Sequence, residues 1–325
     1  MILSIVIPIF NVERYINGCL DSIFCKNEVT SDVEIIVVND GTQDNSMKIV
    51  REYSKLYKIT ILEQKNQGLS GARNTGLFNS HGKYIWFFDS DDQMVPGILQ
   101  SLLSLLYKSD IDIHSFCLKL KNELSGNIDS QSTIIKSKYS YLINKMITRS
   151  DIPHKVHCAP AQRFIFKRSF LNRNSLCFKG GIIHEDVEFM CRAYFFAKSV
   201  FLHDFQIYQY LQRANGSIMS SLDFRTITSR DAIIDSLHTF KSMHAFSAAD
   251  KYFIDEYIAK VLMGLYSLKI KDQSDYISFL DKNRIKYKHF ALLGIKANLY
   301  YKDFIKTIKC LVLFLSPTSY RLLFS

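Results

Sequence analysis

Residues 1 to 115 carry two rhythms of apolar and polar positions. Ser4-Ile5-Val6-Ile7-Pro8 and Val33 to Val38 are short, nearly continuous apolar runs, which is how strands buried on both faces read. Between them, Tyr15 to Cys25 spaces Ile16, Cys19, Leu20 and Ile23 three and four apart, the stripe of an amphipathic helix. Ser46 to Tyr57 predicts a second helix, preceded by polar turn residues that cap it. Ile59 to Leu62 predicts a strand, Leu69 to Ser80 a helix, and Tyr84 to Phe88 a strand rich in aromatic side chains. This β-α-β-α order predicts a parallel sheet covered by helices on both faces.

Further on, the spacing predicts a helix over 96–108, a strand over 111–120, a polar loop over 122–132 and a helix over 139–147. Phe164 to Phe166 and Ser199 to Leu202 are strand candidates, with a helix from about Glu185 between them. After about Ser220 the periodicity is helical only. The expected organisation is an α/β catalytic domain over 1–220, a mostly parallel sheet flanked by helices, followed by a C-terminal helical region over 221–325.

The last strand of the first part runs straight into Asp89-Ser90-Asp91-Asp92, three carboxylates in four residues. Charges this close repel unless a cation or a donor shares them. A hard divalent ion, Mn²⁺ or Mg²⁺, suits such a set and commonly takes substrate phosphates as its remaining ligands. The same residues also fit a solvated turn ahead of a helix. Three other strand ends are polar as well: Pro8-Ile9-Phe10-Asn11, Asn39-Asp40-Gly41-Thr42-Gln43-Asp44 and Gln64-Lys65-Asn66-Gln67-Gly68. In a parallel sheet all four loops open along one edge and converge on one cleft. There Asp40 can accept a ring N–H, Asn66 offers both a donor and an acceptor, and Arg73 adds charge-assisted bonds. Gly68 and Gly71 let backbone approach a ligand closely. Asp40-Gly41 alone also fits a tight turn.

Together, Ser4-Ile-Val-Ile-Pro-Ile-Phe-Asn, Glu34-Ile-Ile-Val-Val-Asn-Asp-Gly-Thr-Gln-Asp, Asn66-Gln-Gly-Leu-Ser-Gly-Ala-Arg-Asn-Thr-Gly and Asp89-Ser-Asp-Asp resemble the ordered motifs of family 2 glycosyltransferases with the GT-A fold. The resemblance implies a Rossmann-like sheet and a UDP-sugar donor. It places Asp40 on the uracil and Pro8, Phe10 and Asn11 beside the base. Asn66, Gly68 and Arg73 join the nucleotide pocket. Asp89 and Ser90 lie near the ribose and diphosphate, and Asp91 holds the metal. Gly181-Ile-Ile-His-Glu-Asp-Val-Glu-Phe resembles the family's Glu-Asp motif, which makes Asp186 the catalytic base with Glu185 beside it. Tyr208-Gln-Tyr-Leu-Gln-Arg213-Ala-Asn-Gly-Ser217 resembles the stretch that closes over the diphosphate, so Arg213 and Ser217 become candidate contacts. His184 either coordinates there or packs. The implied reaction is an inverting transfer to a cell-surface glycan such as a lipopolysaccharide core, O-antigen or capsule. A sugar-nucleotide binder without catalysis is the alternative, and the motif carboxylates present here speak against it.

Composition adds limits. Hydrophobic residues make up 47% and charged residues 22%, which excludes a disordered chain. Seven cysteines without a Cys-x-x-Cys pair fit neither zinc nor a disulfide framework, and point to a reducing compartment. The N-terminus lacks the basic region of a signal peptide and reads as a first strand. No apolar run reaches the ~18 residues of a spanning helix. From Arg284 onward eight basic residues face one acid, so this tail carries +7 of the net +10. Its apolar residues, Phe290, Leu292, Leu293, Phe304, Ile305, Leu311, Phe314 and Leu315, alternate with lysines. That mixture predicts either a peripheral contact with anionic membrane on the cytoplasmic side or a packed terminal helix. A nucleic-acid partner is disfavoured, because the acidic cleft repels phosphates unless a cation is bound.

Overall fold

The computed structural model describes residues 1–123, 128–129, 142–147, 160–213, 224–243, 246–268 and 273–317, with 320 and 323. These form two compact units. One holds the described residues of 1–181 together with 196–213; the other holds 182–195 and the described residues from 224 on.

In the first unit the expected alternation is present as β1 (Leu3–Ile9), α1 (Glu13–Phe24), β2 (Val33–Asn39), α2 (Ser46–Leu56), β3 (Ile59–Glu63), α3 (Gly68–Phe78) and β4 (Tyr84–Phe87). Strands pair in parallel in the order β3-β2-β1-β4. The later elements are β5 (Gln93–Met94), α4 (Leu99–Lys108), β6 (Ile113–Asn122), β7 (Ile128–Asp129), β8 (Lys145–Ile147), β9 (Phe164–Lys167), α5 (Arg168–Arg173) and β10 (Val200–Gln212). Here the sheet becomes mixed. β9 enters antiparallel between β4 and β6, and β10 lies parallel to β6.

The helix expected over 139–147 is corrected where it is described. Lys145–Ile147 is a strand, antiparallel to Val200–Leu202 of β10, with Ile147 buried. Cross-strand pairing decides the conformation of so short a segment. Residues 139–141 lie outside the described residues. β10 also runs ten residues beyond the predicted Leu202, through two irregularities of register near Gln206.

The core positions the chemistry. Ile16, Cys19, Leu20 and Ile23 of α1 are buried as the stripe predicts. Trp86 packs edge-on against Phe88, with ring centroids 5.1 Å apart. A Cβ on Gly76 would sit 2.1 Å from Val6 Cγ1, so a glycine is what lets α3 lie directly on β1. That close approach brings Arg73, one turn earlier on α3, to the end of β4.

The second unit is helical: α6 (Glu185–Phe196), α7 (Phe224–Ser242), α8 (Ala248–Tyr266), α9 (Gln273–Lys282), α10 (Arg284–Tyr300) and α11 (Phe304–Leu315). The start of α8 is fixed by a reciprocal cap in which Ser247 Oγ accepts from Asp250 N and Asp250 Oδ2 accepts from Ser247 N, each at 3.2 Å. Fully buried Glu256 of α8 pairs with Lys260 at 3.3 Å and with Lys306 of α11 at 2.8 Å.

Candidate functional site

Parallel register sets Ile9 beside Asn39 and Asn39 beside Glu63. The loops that follow β1, β2, β3 and β4 therefore open on one edge, as a parallel sheet requires. Hydrogen bonds tie them together. Asn11 N donates to Thr42 Oγ1 at 2.8 Å, and Glu13 N to Asp44 Oδ2 at 2.8 Å. Asp40 is 2% exposed. Its Oδ1 accepts from Gln64 Nε2 at 2.7 Å and from Gln67 N at 2.8 Å, so both of these bonds land on one oxygen.

The individual positions differ in character. Phe10 is 45% exposed at the rim. Asn11 has φ +52° and is exposed. Pro8 is buried inside β1, beside Val38. Exposed Asn66 accepts from Gly68 N at 3.1 Å, and Gly68 adopts φ +74° at the start of α3. Ser90 is buried in the turn.

At the end of β4 the three carboxylates gather. Oxygens of Asp89, Asp91 and Asp92 all lie within 4.8 Å of one another. Asp89 accepts from Arg73 Nη2 at 2.7 Å and from the Gln162 amide. Arg73 is 1% exposed and lies over the Phe178 ring at 5.2 Å. Asp91 is paired with Arg213, whose guanidinium also lies over the Tyr15 ring at 4.5 Å. Asp92 is buried, taking the Tyr208 hydroxyl and, at 2.7 Å, Leu211 N. Burial pushes the Asp92 carboxyl well above the usual carboxylate range, with Asp91 and Asp89 adding to the effect. Burial, and next to it Asp89, likewise raise Asp91, against the pull of Arg213. Beside Asp91 lies a cavity of about 250 Å³, lined by Tyr15, Gly18, Gln93, Lys121 and Leu211 among others.

Three carboxyl groups meet here, the crowding itself raises Asp91 and Asp92, and every ligand atom on offer is a hard oxygen. That donor set fits a divalent cation. Asp92 has committed both oxygens to β10, so the fit rests on Asp89 and Asp91.

Sequence reasoning missed three of these residues. Gln162 lies in a short turn between Pro160 and β9, and reaches Asp89 only because β9 enters the sheet beside β4. Tyr15 reads as one more position on α1. Asp92 reads as the third acid of a run, whereas it anchors the end of β10 and thereby the backbone leading to Arg213. Ser217 lies outside the described residues.

Glu185 and Asp186 belong to the second unit, at the start of α6. The preceding His184 has φ +60°, and its carbonyl accepts from Val187 N at 3.1 Å. Glu185 is 6% exposed. Asp186 is half-buried, and its Oδ1 accepts from Val187 N at 2.9 Å. Burial, then Arg230, lowers the His184 pKa. One turn on, Glu188 is sealed by Arg192 (2.6 and 2.9 Å) and Ser236 Oγ (2.9 Å), which marks it as structural.

Residues 4–173 match the family model described as Glycosyl transferase family 2. The uncharacterized glycosyltransferase EpsJ of Bacillus subtilis is 32% identical over 223 residues, 66% of this chain and 62% of EpsJ. The poly(ribitol-phosphate) beta-glucosyltransferase of Bacillus spizizenii is 32% identical over 225 residues, 68% of this chain and 34% of that protein. The chain thus spans less than two thirds of the length of these relatives. Among solved structures, residues 1–349 of S. aureus TarS in complex with UDP-GlcNAc align over 97% of this chain and 92% of that chain, at 18% identity and a TM-score of 0.68. That likeness shows the fold, the GT-A fold expected from the motifs.

Proposed function

The chain belongs to glycosyl transferase family 2, and we propose on that premise that it transfers a sugar from a UDP-sugar to a hydroxyl of a growing cell-surface glycan, with inversion. The observation that carries this reading is the meeting, on one sheet edge, of buried Asp40 with the Asp89, Asp91 and Asp92 cluster held by Arg73 and Arg213. Asp40 offers a carboxylate to the uracil N3–H, with Phe10 and Asn11 at the rim and Asn66 and Gly68 bordering the pocket. Asp89 and Ser90 lie toward the ribose and diphosphate. Asp91, with Asp89, would hold a Mn²⁺ or Mg²⁺ ion that supplies Lewis-acid stabilisation of the leaving diphosphate. Arg213 adds a charged fork for the phosphates, joined in this reading by Ser217. Asp186 takes the acceptor proton as the hydroxyl attacks the anomeric carbon and the bond from that carbon to the UDP oxygen breaks. Buried Glu185 supports the loop. The UDP-GlcNAc bound to TarS supports the choice of donor, and the name of the Bacillus spizizenii relative supports a surface polymer as acceptor.

The test is a panel of UDP-sugars incubated with the protein and Mn²⁺ or Mg²⁺. At least one should release UDP well above the uncatalysed background. UDP binding without release from any sugar would make the chain a binder and not a transferase.

The second unit gives this reading a place to work. On α11 every exposed side chain is a large apolar one: Phe304, Ile305, Ile308, Leu311 and Leu315, from 43% to 67% exposed. No helix among the described residues is long and apolar enough to cross a membrane. The tail differs in detail from its sequence reading. Phe290 is buried, and Lys286 and Lys306 are engaged by acids within the unit. Exposed Lys296 and Lys302 remain near this face in sequence. An anionic lipid surface fits apolar side chains flanked by lysines. Fully burying a large apolar side chain contributes about 1.5–3 kcal/mol, against about 1 kcal/mol for each basic residue near an anionic leaflet. The apolar part should therefore dominate. Phosphatidylglycerol vesicles should sediment the protein at low salt, and much of that binding should survive high salt. Replacing Phe304, Ile308 and Leu311 by serine should remove the salt-resistant part. Protein that stays in the supernatant at low salt excludes the membrane role.

A further inference from the structure

Several partly buried charged groups in the second unit come with partners. Glu188 pairs with Arg192, Asp255 with Lys241, Glu256 with Lys260 and Lys306, and Lys286 with Asp231 and Asp235. Arg230 of α7, also partly buried, differs from these. Its Nε is sealed from solvent without a hydrogen-bond partner, and among the described residues no acid lies within ion-pair distance of it. The side chain is half-buried. Burial works against its charge, and the neighbour that favours that charge is the Tyr276 phenol, whose hydroxyl donates to Leu265 O at 2.6 Å. A half-buried guanidinium without an anion is costly.

The position of this charge is specific. A Cβ on Gly264 of α8 would fall 2.2 Å from Arg230 Nη1, so the guanidinium rests directly against the glycine face of α8. The preceding residue, Ser229, is buried and accepts from Ile183 N at 3.1 Å. That bond fastens the Arg230 turn of α7 to the loop running through His184 into Glu185 and Asp186. Arg230 lies near enough to His184 to work, after burial, against protonation of that ring. A guanidinium lacking a carboxylate still offers charge-assisted donors to an oxyanion.

We propose that Arg230 is the anion-reading residue of the acceptor site, taking a phosphate group of the acceptor beside the loop that carries Asp186. This rests on the transferase reading above and narrows it to acceptors that bear a phosphate, whether in a phosphodiester polymer or in a lipid-linked carrier. Donor binding is assigned to the other unit, so the two ligands should separate in experiment.

The test titrates the full chain with inorganic phosphate, and with glycerol 1-phosphate against glycerol, at constant ionic strength, followed by calorimetry and thermal unfolding. UDP affinity is measured on the same samples. Wild type should bind phosphate and glycerol 1-phosphate but not glycerol. Arg230→Met should weaken that binding by on the order of tenfold or more, the loss expected for charge-assisted hydrogen bonds, and Arg230→Lys should lose part of it. Without phosphate, Arg230→Met should melt no lower than wild type, since it removes an uncompensated charge. UDP affinity should match wild type in both variants. Equal phosphate binding by wild type and Arg230→Met, or none by wild type, overturns the proposal, as does a fall in UDP affinity, which would assign Arg230 to the donor. Loss of UDP binding by wild type itself would refute the transferase reading separately.

Discussion

A chelator should weaken UDP binding to the wild-type chain by on the order of a hundredfold, and Mn²⁺ or Mg²⁺ should restore it. The expectation follows from charge. Asp89, Asp91 and Asp92 hold oxygens within 4.8 Å of one another, and a nucleotide diphosphate brings more negative charge to the same place. Arg73 and Arg213 answer only part of it. An ion at the phosphate oxygens is worth several kcal/mol, and each 1.4 kcal/mol is a factor of ten in affinity. Asp91→Asn should reproduce the chelator's effect. Because Asp91 also anchors Arg213, that variant should additionally release the guanidinium from its place over Tyr15. Tyr208→Phe separates the two effects. It removes a hydroxyl from Asp92 but leaves Asp89 and Asp91 intact, so it should lower stability while keeping the ion requirement. Equal UDP affinity with and without chelator in wild type would show that the carboxylates serve the fold alone.

Asp186→Asn should lose about 10²–10⁴ in turnover, the usual contribution of a general base, with UDP affinity near wild type. The split is the informative part. Asp186 lies in the helical unit and the nucleotide loops in the other, so loss of the base should leave the donor pocket unaltered. Glu185→Gln is the control. Glu185 is buried and Asp186 half-buried, which favours Asp186 for a group that must meet a substrate hydroxyl. A dead Glu185→Gln beside an active Asp186→Asn would move the role by one residue, and full activity in both would place the base elsewhere.

The strand ends were legible because each is an apolar run that stops at Asn, Asp, Gln or Gly, and parallel pairing turns four such stops into one edge. The partners of Gln162 and Tyr208 were illegible for the opposite reason. Their positions depend on β9 and β10, which return to the sheet after long excursions, and no local spacing announces a partner 70 or more residues away. β8 was misread because three residues carry too little periodicity to choose between helix and strand. The tail was half legible. Its apolar content was plain, but α11 is apolar on both sides, so spacing alone does not say that Cys310 and Leu313 turn inward while Ile308 turns out. The grouping of α6 with the later helices has no sequence signal either, since it rests on contacts such as that of Phe195 with Phe240 and Phe253.

The chain has one tryptophan, and it lies two hydrogen bonds from the acidic turn. The Trp86 indole N–H donates to Gln162 O at 2.6 Å, and the Gln162 side chain donates to Asp89. Whatever draws on Asp89 alters the pull on Gln162 and, through it, the polarity felt by the indole. The protein thus carries its own optical gauge: a single indole, excited selectively beyond the absorption of the 18 tyrosines, whose emission should shift when the turn is occupied in an unlabelled, unmodified chain.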